Sequence, residues 1–446
     1  MTPSRLPMIS RRTVMAGLPA ALLLTGCRAG QPERPKIAAL VTEYRRRAHG
    51  QHIVDRFLGG YNWGGRFHRP PMDVVSLYVD QVRESDLSRD RARQYPSMKI
   101  YPTIAEALTR GGDRLAVDGV LLIGEHGSYP RNEKGQTLYP RYEFFRQIVE
   151  VFRASGRGAP VFNDKHLSWK WEWAEEMVET ARELDFALMA GSSIPVAWRL
   201  PPLEIPSDAE VEEAMVIGAG GGADSYGFHG FEAMQCMVER RRGGETGVAA
   251  LQAVRGPKVW EALRAGSWER GGWDPELFEA CLCRSLALTS TREGFDHSYP
   301  SLEEIPGLVK DRVTDSGPQL DQPLAFRCEY ADGMRATLLL LEGLSMGWTF
   351  AARLKNPQRL VSTHFYLPVR GLGGGAEANF FSPLVNGVEK MFLTGRATYP
   401  VERTLLTSGM TEAGVDSLWR GQHRVETPHL AVRYRPTPEP TYRRRS

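Results

Sequence analysis

Val117-Asp118-Gly119-Val120-Leu121-Leu122-Ile123-Gly124, running on into Glu125-His126-Gly127, is the stretch whose reading decides the fold. It is a continuous apolar run of strand length, closed by glycine and polar residues. A strand wet on one face alternates apolar and polar side chains, whereas a continuous run is buried on both faces, as in a parallel sheet covered by helices. The same kind of run recurs on either side of it, at residues 36–41, 73–79 (closing on Asp80), 160–162 and 187–191. Helical spacing fills the intervals, at residues 52–58, from Pro102 or Thr103 onward, and at 142–155 and 171–184. Strands alternating with helices predict an α/β, Rossmann-like parallel-sheet domain over residues 36–200. A Gly/Pro-rich insertion at residues 59–71 interrupts it.

The proline-rich stretch at residues 195–206 is a natural boundary, and beyond it the pattern changes. Residues 211–217 read as a strand and 226–240 as a helix. Runs at 325–329, 335–341 and 360–368 read as further strands, several separated by glycine-bearing turns. This predicts a second, α+β domain over residues 206–446 with a mostly antiparallel open sheet.

Composition supports a globular chain of two domains: 446 residues, 42% hydrophobic and 24% charged, with no low-complexity block. A net charge of +3, evenly spread, argues against a nucleic-acid partner. The first thirty residues read differently. Ser10-Arg11-Arg12-Thr13-Val14-Met15 is a paired-arginine start, residues 16–24 form a short run of small and apolar side chains, and Leu24-Thr25-Gly26-Cys27 resembles a lipobox. The apolar run is far shorter than the ~20 residues of a spanning helix. Residues 1–30 are therefore expected to be a twin-arginine export signal, with Cys27 as the lipid-attachment residue and the mature protein held at a membrane surface in the periplasm or cell envelope. Four cysteines remain, Cys236, Cys281, Cys283 and Cys328. Disulfides are possible in an oxidising compartment, but free buried thiols are the favoured expectation.

The order of elements and four local motifs resemble the glucose–fructose oxidoreductase and inositol dehydrogenase family (Gfo/Idh/MocA). Val117-Asp118-Gly119-Val120 running into Gly124-Glu125-His126 resembles one family strand and its end. Asn163-Asp164-Lys165-His166 occupies the slot of the family's Glu-Lys-Pro motif, with Lys165 matching its lysine and no proline after it. Gly227-Phe228-His229-Gly230-Phe231-Glu232 resembles the family's G-x-H-x-x-D helix start, with His229 matching the catalytic histidine and Glu232 standing where aspartate is usual. Residues 400–428 resemble the closing helix and tail. The resemblance implies a carbohydrate substrate, NAD or NADP as cofactor, Lys165 and His229 as catalytic residues, and a cofactor site drawn from Thr42, Glu43, Arg45, Asp80, Glu125 and His126.

Two departures qualify it. The family's first strand runs into G-x-G-x-x-G, whose glycines let a pyrophosphate approach a helix N-terminus. Here the turn is Thr42-Glu43-Tyr44-Arg45-Arg46-Arg47-Ala48-His49-Gly50. Its arginines read either as phosphate ligands or as a solvated loop, while Asp80 stands where an acid would hold a ribose diol. The aspartate four residues before the histidine is also missing, leaving Asp224 or Tyr226 as candidates for its part. A neutral imidazole as base beside an ammonium that polarises oxygen suits chemistry at a sugar carbon. Three readings stay open: an exported oxidoreductase with a tightly held nucleotide, a cofactor-free lyase or epimerase, and a non-catalytic carbohydrate-binding lipoprotein. His126 and His166 with Glu125 and Asp164 could alternatively hold a metal, though none is assigned. Trp169, Trp171, Trp173 and Trp198 read as packing residues first and a sugar platform second. An oligomer is possible.

Overall fold

Residues Ile37 to Val41 are fully buried, and so are Val120 to Ile123, as only strands covered on both faces can be. The computed structural model describes residues 33–285, 303–309, 322–342, 344–345, 347–367 and 379–442. The export segment with Cys27, and the last residue of the 360–368 run, lie outside them. In chain order the first half runs β1 (Lys36–Val41), α1 (His49–Gly59), the hairpin β2 (Tyr61–Trp63) and β3 (Arg66–His68), β4 (Asp73–Val79), α2 (Ser88–Gln94), β5 (Lys99–Ile100), α3 (Ile104–Thr109), β6 (Gly119–Ile123), α4 (Arg141–Ser155), β7 (Val161–Asp164), α5 (Trp171–Glu183) and β8 (Leu188–Gly191).

Six of these strands form one sheet in the order β5-β4-β1-β6-β7-β8, and every pair in it is parallel. This is the doubly wound Rossmann order, which reverses between β1 and β6. Thr103 starts α3 as expected, its hydroxyl accepting the Glu106 N–H at 3.1 Å. The Gly/Pro-rich insertion forms the β2–β3 hairpin, and the two-residue β5 is too short to carry a periodic signal. Strand β7 runs two residues further than its apolar run, because Asn163 and Asp164 are wholly buried in it. Of the tryptophans, Trp169 and Trp173 pack with Tyr142, whose ring stacks on Trp173 at 4.6 Å, and Trp171 is buried.

The second half runs β9 (Trp198–Leu200), β10 (Val211–Gly218), α6 (Tyr226–Val238), β11 (Val248–Arg255), α7 (Pro257–Ala265), α8 (Pro275–Leu282), α9 (Ile305–Leu308), β12 (Leu324–Tyr330), β13 (Arg335–Leu340), β14 (Trp348–Lys355), β15 (Gln358–Tyr366), α10 (Phe381–Thr394), α11 (Glu402–Trp419) and β16 (Val425–Glu426). Its eight strands form an open sheet, β16-β11-β12-β13-β10-β14-β15-β9, antiparallel except for the β10–β13 pair. The period-two rule is visible in β10: Ala214 and Val216 join the core that includes α6 and α11, while Met215 and Ile217 join the one that includes α8. Gly230 lets α6 lie close on the sheet, since a Cβ there would stand 2.3 Å from a Leu338 methyl.

Helix α10 returns to the parallel sheet. Its Leu384, Val388 and Met391 share a core with Ile37, Ala39 and Val41, and its Glu389 accepts a hydrogen bond from Tyr61 of the hairpin at 2.9 Å. Helix α11 is tied to α6 by a buried ion pair in which Arg403 donates to both oxygens of Glu239, at 2.9 and 2.5 Å. Cys236, Cys281 and Cys328 are buried free thiols, as expected. Cys283 is free but exposed, because it lies just past the end of α8. Among the described residues, no helix is long and apolar enough to cross a membrane.

Removing one partner of a buried ion pair strands the other charge. Arg403→Met should therefore lower stability by about 3–5 kcal/mol, and adding Glu239→Leu should restore part of that loss. Urea midpoints measure both, and an unchanged midpoint in the single variant would contradict the role given to the pair.

Candidate active site at the carboxyl ends of the parallel strands

Open α/β sheets bind ligands beyond the carboxyl ends of their strands. Here β6 delivers Glu125 and His126, β7 delivers Lys165 and His166, β8 delivers Ser192, and α6 brings His229 and Glu232 from the other side. Lys165 Nζ lies 2.5 Å from His229 Nε2 and 3.8 Å from Glu125 Oε1. An ammonium only donates, so Nε2 accepts and the ring proton sits on Nδ1. That Nδ1 faces Ser192 Oγ at 3.1 Å and Glu232 Oε2 at 3.4 Å. The Ser192 hydroxyl donates to Glu232, and the Ser192 N–H reaches its other oxygen at 2.8 Å. The chain Lys165–His229–Ser192–Glu232 thus fixes one neutral tautomer of His229, whose pKa is lowered by burial and then by the lysine charge.

Arg141, wholly buried, donates to Glu125 Oε2 at 2.7 Å and to His166 Nε2 at 2.9 Å. Since arginine cannot accept, His166 is neutral too. Gly124 makes room for this arginine, because a Cβ there would stand 2.6 Å from Arg141 Cγ. Burial opposes ionisation of Glu125, but Lys165 and Arg141 outweigh it and hold the carboxyl well below the usual range. Asp164, wholly buried, is pushed up to about 7 by burial, which the Lys165 charge only partly offsets. Its Oδ2 lies 2.7 Å from His49 Nδ1. Two residues of the cluster, His126 (φ 71°) and Lys165 (φ 74°), are held in the left-handed region, uncommon for residues other than glycine and concentrated at functional sites. Among the described residues, no group of three or more His, Cys, Asp or Glu side chains is placed to hold a metal.

Lys165, Glu125 and His166 line a cavity of about 470 Å³ together with Tyr139, Asp224 and Trp419. Asp224 accepts the Thr137 N–H at 3.2 Å and is pushed up to about 6 by burial. It shares the cavity with Lys165, but the carboxylate facing His229 is that of Glu232. Tyr226 is exposed, with its ring 6.3 Å from that of His229 and stacked toward Trp348. Ser192 carried no signal in the sequence, whereas Glu232 was marked by its place in the helix-start motif.

This two-sheet arrangement occurs in solved dehydrogenases. GenD2 of gentamicin A biosynthesis, solved with NAD, superposes with a TM-score of 0.55 at 13% identity, over 88% of this chain and 96% of its own. The myo-inositol dehydrogenase of Lactobacillus casei, solved with NAD(H) and myo-inositol, gives 0.53 at 11%, over 88% and 97%. A probable dehydrogenase of Thermotoga maritima gives 0.51 at 10%, over 89% and 99%. No protein-family model matches the sequence, and no curated protein matches it either. The likeness is one of fold.

That fold places a dinucleotide over the turn after β1, with its pyrophosphate at the N-terminus of α1. Here the Thr42 hydroxyl donates to the Glu125 carbonyl oxygen at 2.7 Å. The buried Glu43 carboxylate pairs with Arg45 at 2.7 Å and also with Arg83. Arg45 bridges to Asp86 as an isolated antiparallel pair, and the crevice bounded by Glu43, Arg45, Gln81 and Arg83 is narrow, with its arginine side chains partly exposed. Each Asp80 oxygen accepts from a tyrosine, Tyr78 at 2.8 Å and Tyr129 at 2.7 Å. His49 and Phe381 sit edge to face at the start of α1, 4.9 Å apart. Gly50 keeps the one glycine task of close helix packing, as a Cβ there would stand 2.7 Å from the Glu43 carbonyl oxygen. As arranged, the turn carries a buried carboxylate held by two arginines where the fold's dinucleotide loop carries glycines.

An unperturbed imidazole is half protonated near pH 6.5. Because its pKa is depressed, His229 should remain neutral at that pH and take up its proton only in more acid solution. Lys165→Met removes a neighbouring positive charge and should move the titration upward. NMR titration of the histidine ring follows both, and a wild-type midpoint at or above 6.5 would contradict the geometry.

Proposed function

We propose that this chain is a carbohydrate-active enzyme, a divergent member of the Gfo/Idh/MocA group, that works by acid–base chemistry as a lyase or epimerase. The contact between Lys165 and a tautomer-fixed, neutral His229 beside the cavity carries this reading. With a keto- or aldo-sugar bound, Lys165 holds the carbonyl oxygen, and His229, whose side chain is 14% exposed, takes the proton from the adjacent carbon. The C–H electron pair moves into the enolate, whose oxygen charge Lys165 stabilises. Proton donation from a solvent water on the opposite face gives the epimer, with His229 passing its proton back to solvent, and departure of a β-substituent that takes up the His229 proton gives the unsaturated product. No oxidant is consumed. Glu232 and Ser192 act through His229 as positioning residues, holding Nε2 free of hydrogen.

The strand order and the neighbours solved with NAD favour a second reading, an oxidoreductase with a tightly held NAD or NADP. Thr42, Glu43, Arg45, Asp80, Glu125 and His126 would form its site after Glu43 releases Arg45 and Arg83. Denaturing the purified protein and assaying the supernatant by absorbance and mass separates the two. The first reading expects no nucleotide, and a stoichiometric release of NAD(P) would replace it with the second. In either case His229→Gln should lower turnover about 10²–10⁴-fold with folding retained, and unchanged turnover would remove its catalytic role.

We also infer export by the twin-arginine route and lipid attachment at Cys27, from the sequence of residues 10–27. Arg11→Lys combined with Arg12→Lys should leave the protein in the cytoplasm. Cys27→Ala should shift it from the membrane fraction to the soluble one, and an unaltered distribution would contradict the anchor.

A further inference from the structure

The cavity beside Lys165 is not electrically balanced. Arg255, the last residue of β11, lines it, and among the described residues its guanidinium meets no carboxylate. Its one side-chain hydrogen bond is to the Leu418 carbonyl oxygen at 3.5 Å, the limit of such a contact. Burial lowers its pKa with no opposing charge nearby. The other cations of the site each have a carboxylate partner: Lys134 pairs with Asp416, while Lys165 and Arg141 share the one carboxylate of Glu125. Arg131, exposed at the rim, also faces no described carboxylate. Of the lining acids, Glu125 is taken up by two cations, Arg141 and Lys165, and Asp224 holds a backbone N–H. Only Glu133, exposed at the rim, stands against the two free guanidinium groups.

Half-burying an unmatched guanidinium removes hydration without replacing it, and its planar fork suits a two-oxygen acceptor. We propose that the cavity takes a sugar carrying an oxyanion, a carboxylate or a sulfate ester, with Arg255 as the residue that binds that group and Arg131 as its support at the rim. The proposal rests on the carbohydrate reading above and adds the substrate class to it. With the oxyanion fixed at Arg255, the sugar ring lies along a wall that includes Trp419, whose half-exposed indole carries the Lys134 ammonium over one face, 5.6 Å from the ring centroid. The carbon presented to Lys165 is then set by the distance from the charged group, so the oxyanion chooses the reacting position as well as the affinity.

The test is calorimetric titration of the full chain, at low and at raised salt, with D-glucuronate, D-glucose 6-sulfate and D-glucose, using wild type, Arg255→Gln and Arg255→Lys. The expected result is that one or both acidic sugars bind at least about tenfold more tightly than glucose, the size of a charge-assisted hydrogen bond. Glucuronate and the sulfate ester differ in whichever oxyanion the site accepts. The preference should vanish in Arg255→Gln and return in part in Arg255→Lys. Equal binding of all three sugars, or a preference that survives Arg255→Gln, overturns the proposal and leaves the carbohydrate reading standing. Failure of wild type to bind any of the three overturns both. Should Arg255→Gln not fold, the wild-type comparison and its weakening by salt still decide the outcome.

Discussion

A guanidinium with no access to water sits at the centre of this protein, and it cannot be there without acceptors. Arg141 finds them in Glu125 and His166, and in doing so fixes the loops after β6 and β7 relative to each other. Glu125 then faces Lys165, and Lys165 faces His229, so the orientation of the Lys165–His229 pair descends from one buried charge. The left-handed backbone at Lys165 belongs to the same arrangement. Such a conformation persists only where surrounding contacts determine it, and the Arg141 cluster supplies them on one side of the chain.

Much of this was legible from the residues alone. Continuous apolar runs of strand length, alternating with helical segments, marked the parallel strands because a strand covered on both faces buries every side chain. Lys165 and His229, far apart in sequence, were brought together through motif slots, and the structure places them in contact. What escaped was short or non-local. Strand β5 has two residues and thus no period. Ser192 follows a strand end like many serines, and only the position of Glu232 gives it a purpose. The return of α10 to the first sheet could not be read from its own amphipathic pattern, which states that one face is buried but not against what.

The turn after β1 shows how a shared fold can keep its strand order while its crevice changes. In place of glycines it carries Glu43, Tyr44 and Arg45, and each is occupied: Glu43 with two arginines, Tyr44 with Asp55, and Arg45 with the neighbouring loop. Gly50 survives because helix α1 must still touch the turn, a packing need independent of any ligand. The Rossmann order therefore carries two separable demands, one from the sheet and one from the nucleotide. Only the first is plainly met here.

The position of α10 bears on when the protein can fold at all. Ile37, Ala39 and Val41, in the first strand of the sheet, wait for partners that lie some three hundred and fifty positions later. Until those are synthesised, Ile53, Val54 and Phe57 of α1 cover only part of that side of the parallel sheet, and contacts of such sequence separation form slowly. A nascent chain of this kind has nearly its whole length in the open before the rest of that side is covered, and is dependent on protection from aggregation for that interval. Cutting the chain at the proline-rich boundary would expose the part of that side that α10 covers.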